Sequence, residues 1–319
     1  MPQINYTHIA QMAFNQPLLC TSHLANTIES FLTPRILGRI SENTAQQSLS
    51  DEQISAKESA PIPLGDPEKG NKIVVIPVHG ILVPRRGAIT EACEEIMSYE
   101  LLRTQIQKAL NDESVLEIVL DINSGGGTAQ AAFECADFIY NSRSVKPIRA
   151  IINFNAYSGA YLIASACTEI IISDTAGVGS VGVYQKRLDM TKAYEDAGYK
   201  VHTFHRGATK VYFHPDVEMS EEERTHTETN IEKTYQKFVN AVAKYREISI
   251  EQVTATEADT YDGQAAIDLK LADRLATPQD AISQIAQGAI QRSSAPVIGH
   301  PVGRTIRAQA AAIALTKII

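Results

Sequence analysis

The 319-residue chain contains no tryptophan, and aromatic residues make up only 6% of it. Cysteine is also scarce, and no Cys-x-x-Cys pair or neighbouring histidine gives the spacing of a metal site. The sequence therefore predicts neither a metal centre nor a disulfide framework. We expect reduced, mostly buried thiols at the four cysteine positions, which are Cys20, Cys93, Cys135 and Cys167.

Long hydrophobic runs are missing as well. No stretch of about eighteen apolar residues occurs, so no membrane span is predicted. Residues 1–13 lack the basic start and the continuous apolar core of a secretion signal. The net charge is −8, without the clustered cations that bind phosphate groups, so no nucleic-acid partner is predicted. We expect a cytoplasmic protein.

The composition changes along the chain and indicates four parts. Residues 1–40 carry apolar side chains near helical spacing and predict an N-terminal helical arm, either a docking segment or a helix packed on its own domain. Residues 41–70 are polar, contain three prolines and are expected to be a linker. Residues 71–285 form the main domain. The basic, alanine-rich tail at 286–319 is expected to be disordered or docked on an acidic partner or another subunit.

Within the main domain, apolar runs typical of buried strands alternate with helical patterns. This alternation predicts an α/β fold with right-handed crossovers. The predicted strands are 72–80, 115–122, 148–152 and 200–204, and the predicted helices are 94–110, 131–140, 160–166, 188–198 and 220–246.

Ser158 lies among small residues, between the predicted strand 148–152 and the predicted helix 160–166. A strand-to-helix turn can present a hydroxyl group, and the free N–H groups of the new helix can bind an anion. A serine at such a turn is more often a simple helix cap. Ser158 alone is therefore weak support for a catalytic site.

Three further blocks accompany it. Gly125, Gly126 and Gly127 follow the strand 115–122, where glycine allows the backbone to approach a substrate closely. Their spacing fits neither the dinucleotide-binding pattern nor the phosphate-binding loop. Downstream, Ser180 lies in a second glycine turn, and Lys210 follows the predicted strand 200–204.

In this order, the four blocks resemble peptidase family S49, which includes signal peptide peptidase A and head-maturation proteases of tailed phages. The resemblance covers roughly residues 72–275 and implies a crotonase-like (ClpP-like) α/β fold, a ββα superhelix, and no cofactor. The family blocks Asn-Ser-Pro-Gly-Gly, Ala-x-Ser-Gly/Ala-x-Tyr, Gly-Ser-x-Gly-Val and Gly-x-x-Lys match residues 123–127, 156–161, 179–183 and 207–210. Two positions depart from the family pattern: Gly125 replaces the usual proline, and Lys270 replaces a glycine of a later block.

The resemblance also implies a Ser/Lys dyad without a metal. Ser158 would be the nucleophile, Lys210 the base, and Ser180 the residue that orients the lysine. The N–H group of Gly126 or Gly127, together with that of Gly159, would form the oxyanion hole. A lysine is a base only when neutral, and its ordinary pKa is about 10.4, so we expect apolar residues 211–213 to bury the amine.

As function, the resemblance implies a serine endopeptidase that processes a capsid or scaffold protein in the host cytoplasm or the procapsid interior, as a homo-oligomer. Three alternatives stay open: a soluble signal-peptide-peptidase-like protease of the host, an acyl-CoA hydratase or isomerase with the same fold, and a non-catalytic assembly module. Hydratases usually rely on Glu or Asp, so Ser158 and Lys210 argue against that alternative. His79 at a strand end could also form a triad with Ser158, but a histidine that lines a cleft is the simpler interpretation.

Overall fold

The computed structural model describes residues 15–36, 61–66, 71–85 and 97–294. The strands are β1 (Leu18–Cys20), β2 (Ile62–Asp66), β3 (Asn71–His79), β4 (Val115–Ser124), β5 (Gly126–Thr128), β6 (Ile148–Tyr157), β7 (Glu169–Ile172), β8 (Gly177–Gly179), β9 (Thr260–Asp262) and β10 (Arg274–Leu275). The helices are α1 (Ser22–Ile36), α2 (Tyr99–Asn111), α3 (Ala132–Ser142), α4 (Gly159–Ser165), α5 (Thr191–Asp196), α6 (Glu221–Arg246), α7 (Ile250–Thr254), α8 (Gly263–Asp268) and α9 (Pro278–Ser294), with a 3-10 turn at Ala208–Val211.

The main sheet has the strand order β10-β7-β6-β4-β3-β2, with β8 and β9 attached beside the end of β6. Strands β3, β4, β6, β7 and β10 are parallel. The Val- and Ile-rich runs of β3, β4, β6 and β7 are covered on both faces, as a parallel sheet requires. The predicted α/β class is therefore confirmed. The register pairs Ser124 at the end of β4 with Ala156 near the end of β6. This pairing brings the glycine turn and Ser158 to the same edge of the sheet.

Two apolar layers cover the sheet. Helices α2, α3 and α4 pack on one face in the large core cluster. On the other face, α9 packs Ala281, Ile285 and Ala289 against Ile73 and Val75 of β3, among others. Because α9 continues to Ser294, the folded domain extends beyond position 285, where the sequence predicted the start of the tail.

The N-terminus of helix α6 is determined by its local sequence. Ser220 caps it by accepting a hydrogen bond from Glu223 N at 3.1 Å, as its sequence pattern predicts. The Glu223 carboxylate does not return this bond to the backbone of Ser220 but turns toward Arg187. Toward the other end of α6, Phe238 and Val242 are fully buried in the core of their own chain.

Several sequence-based boundaries were wrong. Residues 62–66, placed in the linker, form the edge strand β2, which pairs antiparallel with β3. The arm contains the short strand β1 before its helix. Residues 200–204 form no strand, since no neighbouring edge pairs with them, and they are exposed. Residues 1–14, 37–60, 67–70 and 295–319 of the predicted arm, linker and tail lie outside the described ranges.

Of the four cysteines, Cys20, Cys135 and Cys167 are free and buried, as predicted, and Cys93 lies outside the described residues. Burial raises the pKa of the Cys135 thiol to about 12, so this group stays protonated at neutral pH. Across the described ranges, no helix combines the length and apolar character needed to cross a membrane.

Candidate active site

Ser158 lies at the junction of β6 and α4, in an unusual backbone conformation with φ 53° and ψ −118°. Its N–H donates to Gly179 O at 2.8 Å, and its carbonyl accepts from Leu162 N at 2.9 Å. A positive φ is costly for a residue with a side chain and persists where the surrounding structure fixes it, as in the nucleophile turn of α/β-hydrolases. The strand and helix therefore hold Ser158 from both sides.

The Ser158 hydroxyl is buried and has no hydrogen-bond partner among the described residues. It does not cap α4, so the common structural explanation for a serine at this position does not apply. A buried polar group without a partner costs about 1–3 kcal/mol. Strain and unpaired polar groups of this kind concentrate at functional sites.

Strand β5 carries the glycines proposed for the oxyanion hole. A Cβ atom at Gly126, where φ is 98°, would lie 2.1 Å from Leu19 O and 2.9 Å from Gly159 N. A Cβ atom at Gly127 would lie 1.9 Å from Leu82 O. The structure therefore accommodates only glycine at both positions.

The two N–H groups of this strand differ in what they bind. The Gly126 N–H donates to Ser124 Oγ at 3.1 Å, and the Ser124 hydroxyl in turn donates to Gly80 O. In the register of β5 with β1, Gly127 lies opposite Leu19. Gly126 and Thr128 bond to Leu82 on the other side of β5, so Gly127 is the one whose N–H points toward β1.

Ser180 follows β8, which pairs with the last residues of β6 so that Gly179 is opposite Tyr157. It is half-buried, has φ 55°, and donates its N–H to Asp259 O at 2.7 Å. The structure thus places Ser180 one strand away from Ser158.

Lys210 differs most from the sequence-based expectation. It lies in the 3-10 turn, is exposed, and has Val211, Tyr212 and Phe213 only half-buried beside it. The described residues therefore do not form the expected apolar pocket around its amine. The lysine also makes no hydrogen bond to Ser158, whose hydroxyl is unpaired. All of residues 195–210 are exposed, so the described part of the chain does not cover this segment.

The end of the Lys210 segment is nevertheless anchored by a buried ion pair that the sequence analysis missed. Arg187 Nε lies 2.7 Å from Glu223 Oε1, and these two side chains are only 6% and 2% exposed. The same carboxylate oxygen accepts from Phe213 N at 2.8 Å, and Arg187 donates to His214 O at 3.1 Å. An acidic residue at the third position of α6 looks like an ordinary cap in the sequence, and only the fold brings the arginine to it.

No other titratable group among the described residues makes a hydrogen bond to Ser158 Oγ. His79 Nε2 lies 3.3 Å from Asp121 Oδ2 rather than next to the serine. Burial raises the pKa of the Cys20 thiol and of the Tyr157 phenol, so both stay protonated at neutral pH. In the part of the chain that the structure describes, no three His, Cys, Asp or Glu residues are grouped to hold a metal ion.

Solved structures similar to this one include ClpP1 from Listeria monocytogenes, with 14% identity, a TM-score of 0.37, and coverage of 65% of this chain and 94% of that chain. An enoyl-CoA hydratase/isomerase from Marinobacter aquaeolei has 13% identity and a TM-score of 0.40, with 81% of this chain and 83% of that chain covered.

Sequence relatives are more similar. Capsid assembly protease C of Escherichia phage lambda is 32% identical, over 91% of this chain and 67% of its own length. Head-tail preconnector protein GP5 of Enterobacteria phage P21 is 34% identical, over 88% of this chain and 57% of its own length. A putative signal peptide peptidase SppA of Enterococcus faecium is 28% identical, over 67% and 62%. The chain thus spans about two thirds or less of the length of these relatives.

The model of peptidase family S49 matches residues 141–292, a range that contains Ser158, Ser180 and Lys210. Together with 32% identity to a phage protease over 91% of the chain, this match confirms the resemblance seen in the motifs. The chain belongs to peptidase family S49 and is a serine-type peptidase.

Proposed function

We propose that this chain is an endopeptidase that cleaves a capsid or scaffold protein during phage or prophage head assembly, with Ser158 as its nucleophile. The observation that carries the proposal is the buried, unpaired hydroxyl of Ser158 on a backbone held at positive φ. The fold maintains this costly arrangement next to a glycine strand, where a substrate carbonyl could bind. The capsid-related names of two relatives support the substrate class.

In the proposed reaction, Ser158 Oγ attacks the scissile carbonyl carbon while the neutral amine of Lys210 takes the hydroxyl proton. The N–H groups of Gly127 and Gly159 hold the oxyanion, and each such donor contributes about 3–4 kcal/mol in other serine proteases. The lysine then gives its proton to the leaving amine. Water then attacks the acyl-enzyme while the lysine takes its proton, and the lysine returns this proton to Ser158 Oγ as the bond to the acyl group breaks. In both steps Ser180 orients the lysine amine by a hydrogen bond.

The lysine needs a drier environment than the described residues of one chain provide, because removal of water favours the neutral amine. The segment that carries Lys210 also exposes Tyr199 and Phe204, which are 69% and 94% accessible. Large exposed apolar side chains are typical of an interaction surface. We therefore propose that the Ser158–Lys210 dyad becomes functional in a homo-oligomer, in which a second copy covers residues 199–213.

The site would act in the host cytoplasm or the procapsid interior. The alternative is a signal-peptide-peptidase-like protease, which the SppA relative at 28% identity favours. To decide, the purified protein is incubated with the capsid and scaffold proteins encoded beside it, and new termini are mapped by mass spectrometry. We expect cleavage of one of these proteins, which Ser158→Ala abolishes. Cleavage that persists in the alanine variant would contradict the proposed nucleophile, and cleavage of signal-peptide remnants alone would contradict the proposed substrate.

A further inference from the structure

Residues 15–21, with strand β1 at their centre, are hydrogen-bonded along both edges. On one edge, β1 pairs antiparallel with β5, so that Leu19 is opposite Gly127. The flanking bonds on this edge join Thr21 N to Gly125 O (3.0 Å) and Ala129 N to Pro17 O (3.3 Å). On the other edge, Leu18 exchanges two backbone bonds with Tyr184, at 2.9 and 3.3 Å, and Asn15 N donates to Lys186 O at 2.9 Å. A peptide bound by strand addition makes the same kind of contacts.

The register places one carbonyl of this segment at the proposed catalytic centre. Because bonded pairs alternate in an antiparallel ladder, the bonds at positions 17 and 21 make Leu19 and Gly127 a pair that exchanges both backbone bonds. A Cβ atom built at Gly126 would lie 2.1 Å from Leu19 O, and one built at Gly159 would lie 3.0 Å from it. The Leu19 carbonyl therefore points toward the backbone that we propose as the oxyanion hole.

The side chains of this segment alternate between two environments, as in any strand. Leu19 is fully buried in the main core cluster, which also contains Leu82 and Tyr99. Leu18 and Cys20 belong instead to a small separate cluster with residues of α1. Residues 15–21 thus fill a groove between β5 and residues 184–186. This groove has an apolar pocket for the side chain of Leu19, the residue whose carbonyl faces the proposed oxyanion donors.

We propose that residues 15–21 act as an intramolecular inhibitor: they fill the groove in which a protein substrate binds as an extended strand, and Leu19 occupies the pocket for the residue that precedes the scissile bond. The inference rests on the proposed function, since it takes Ser158 and Gly127 as the catalytic centre. A substrate displaces the segment and presents a large apolar side chain to the same pocket. The segment itself is not cleaved as long as Ser158 has no base to take its hydroxyl proton.

A binding experiment tests this occupancy without relying on catalysis. The probe is a fluorescent peptide of residues 14–22 with serine in place of Cys20, and its anisotropy is measured with the full-length protein. Leu19→Asp puts a charge into the buried pocket and should release the tethered segment. A tethered competitor has a millimolar effective concentration, so we expect Leu19→Asp to bind the peptide at least about 10-fold more tightly than wild type.

The matched control is Thr27→Asp, which adds the same charge at an exposed position of α1 in the same arm. It should bind the peptide as weakly as wild type does. Equal affinity in wild type and in a folded Leu19→Asp variant would overturn the proposal, because the groove would then be open already.

A disulfide provides a second test that does not depend on Leu19→Asp being folded. Leu18 and Tyr184 exchange both backbone bonds, which places their Cα atoms about 5.5 Å apart, within disulfide range. In a Cys20→Ser background, Leu18→Cys with Tyr184→Cys should cross-link on oxidation. The oxidised protein should then neither bind the peptide nor cleave substrate, and reduction should restore both. The two single-cysteine variants serve as controls and should not respond to oxidation.

The outcomes separate this proposal from the proposed function. No cross-link, or unchanged peptide binding in the cross-linked protein, overturns the occupancy of the groove. An intact mass that shows a chain beginning at Cys20 also overturns it, because the segment would then be a substrate and not an inhibitor. Reversible block of peptide binding without any proteolysis after reduction supports the occupancy and contradicts the endopeptidase.

Discussion

Ser158 combines two local costs that a substitution can remove one at a time. The first is the buried hydroxyl without a hydrogen-bond partner, and the second is the positive φ. Ser158→Ala removes the first cost and keeps the second, whereas Ser158→Gly removes both. We therefore predict that both variants lose all proteolysis and are more stable than wild type.

The expected gain follows from these two terms. Removing a buried, unsatisfied hydroxyl should raise the free energy of unfolding by about 1–3 kcal/mol. Relief of the strained backbone adds about 1–3 kcal/mol for glycine, less about 0.5–1 kcal/mol for its greater freedom in the unfolded chain. Glycine should thus equal or exceed alanine. A stability gain that accompanies complete loss of function is typical of a catalytic position.

The matched control is Ser165, the last residue of α4, which begins directly after Ser158. Ser165 is also fully buried, but its hydroxyl donates to Leu162 O at 2.8 Å. Ser165→Ala should therefore keep activity and lose about 1 kcal/mol of stability or less. Urea unfolding is followed by circular dichroism, because the chain has no tryptophan for fluorescence. A Ser158→Ala variant that is less stable than wild type would refute the unpaired hydroxyl, and one that still cleaves substrate would refute the nucleophile.

Three other changes test the surroundings of the site. Glu223→Gln removes the buried carboxylate from Arg187, which keeps its salt bridge to the more exposed Asp189. Urea melts should therefore show a loss below the about 3–5 kcal/mol of a fully broken buried pair, with reduced cleavage because the Lys210 segment loses its anchor; unchanged melts would contradict this. The pKa of Asp112 is lowered from 3.8 to about 2, chiefly because the Ser114 hydroxyl donates to its carboxylate. The stability that this group contributes is present above pH 3.8 and is lost between pH 3.8 and 2. Urea melts of Asp112→Asn should therefore show a less stable protein than wild type at about pH 6 and equal stability near pH 2. Finally, inactive Ser158→Ala and Lys210→Met proteins should regain cleavage when mixed, if one copy provides the lysine for another; inactivity of the co-assembled mixture would place both groups in one chain.

Many strands and helices of the α/β fold could be predicted from the sequence, because they depend on local patterns. The Val- and Ile-rich runs of β3 and β4 are buried on both faces, and such runs identify parallel strands without knowledge of their partners. The same holds for the junction at Ser158, which lies between a clear strand and a clear helix. The catalytic role of Ser158 itself remains a prediction.

The parts that the sequence did not reveal depend on distant contacts. Strand β1 has three residues, and it is a strand only because β5, more than a hundred positions later, offers an edge. Its two leucines resemble the start of a helical pattern that continues in α1. Similarly, the apolar neighbours of Lys210 suggested a buried amine, but burial is a property of the packed molecule and not of adjacent residues.

The two unexpected features together impose two separate conditions on activity. In the two proposals made above, activity requires that residues 15–21 leave the groove and that a second copy cover the exposed Lys210 segment. The first condition reduces apparent substrate affinity by the fraction of molecules with an open groove, so Leu19→Asp should lower KM. The second depends on assembly, so the specific activity of wild type and Leu19→Asp alike should rise with enzyme concentration. Because a free monomer fails both conditions, proteolysis would be confined to places where many copies and their substrate are concentrated together.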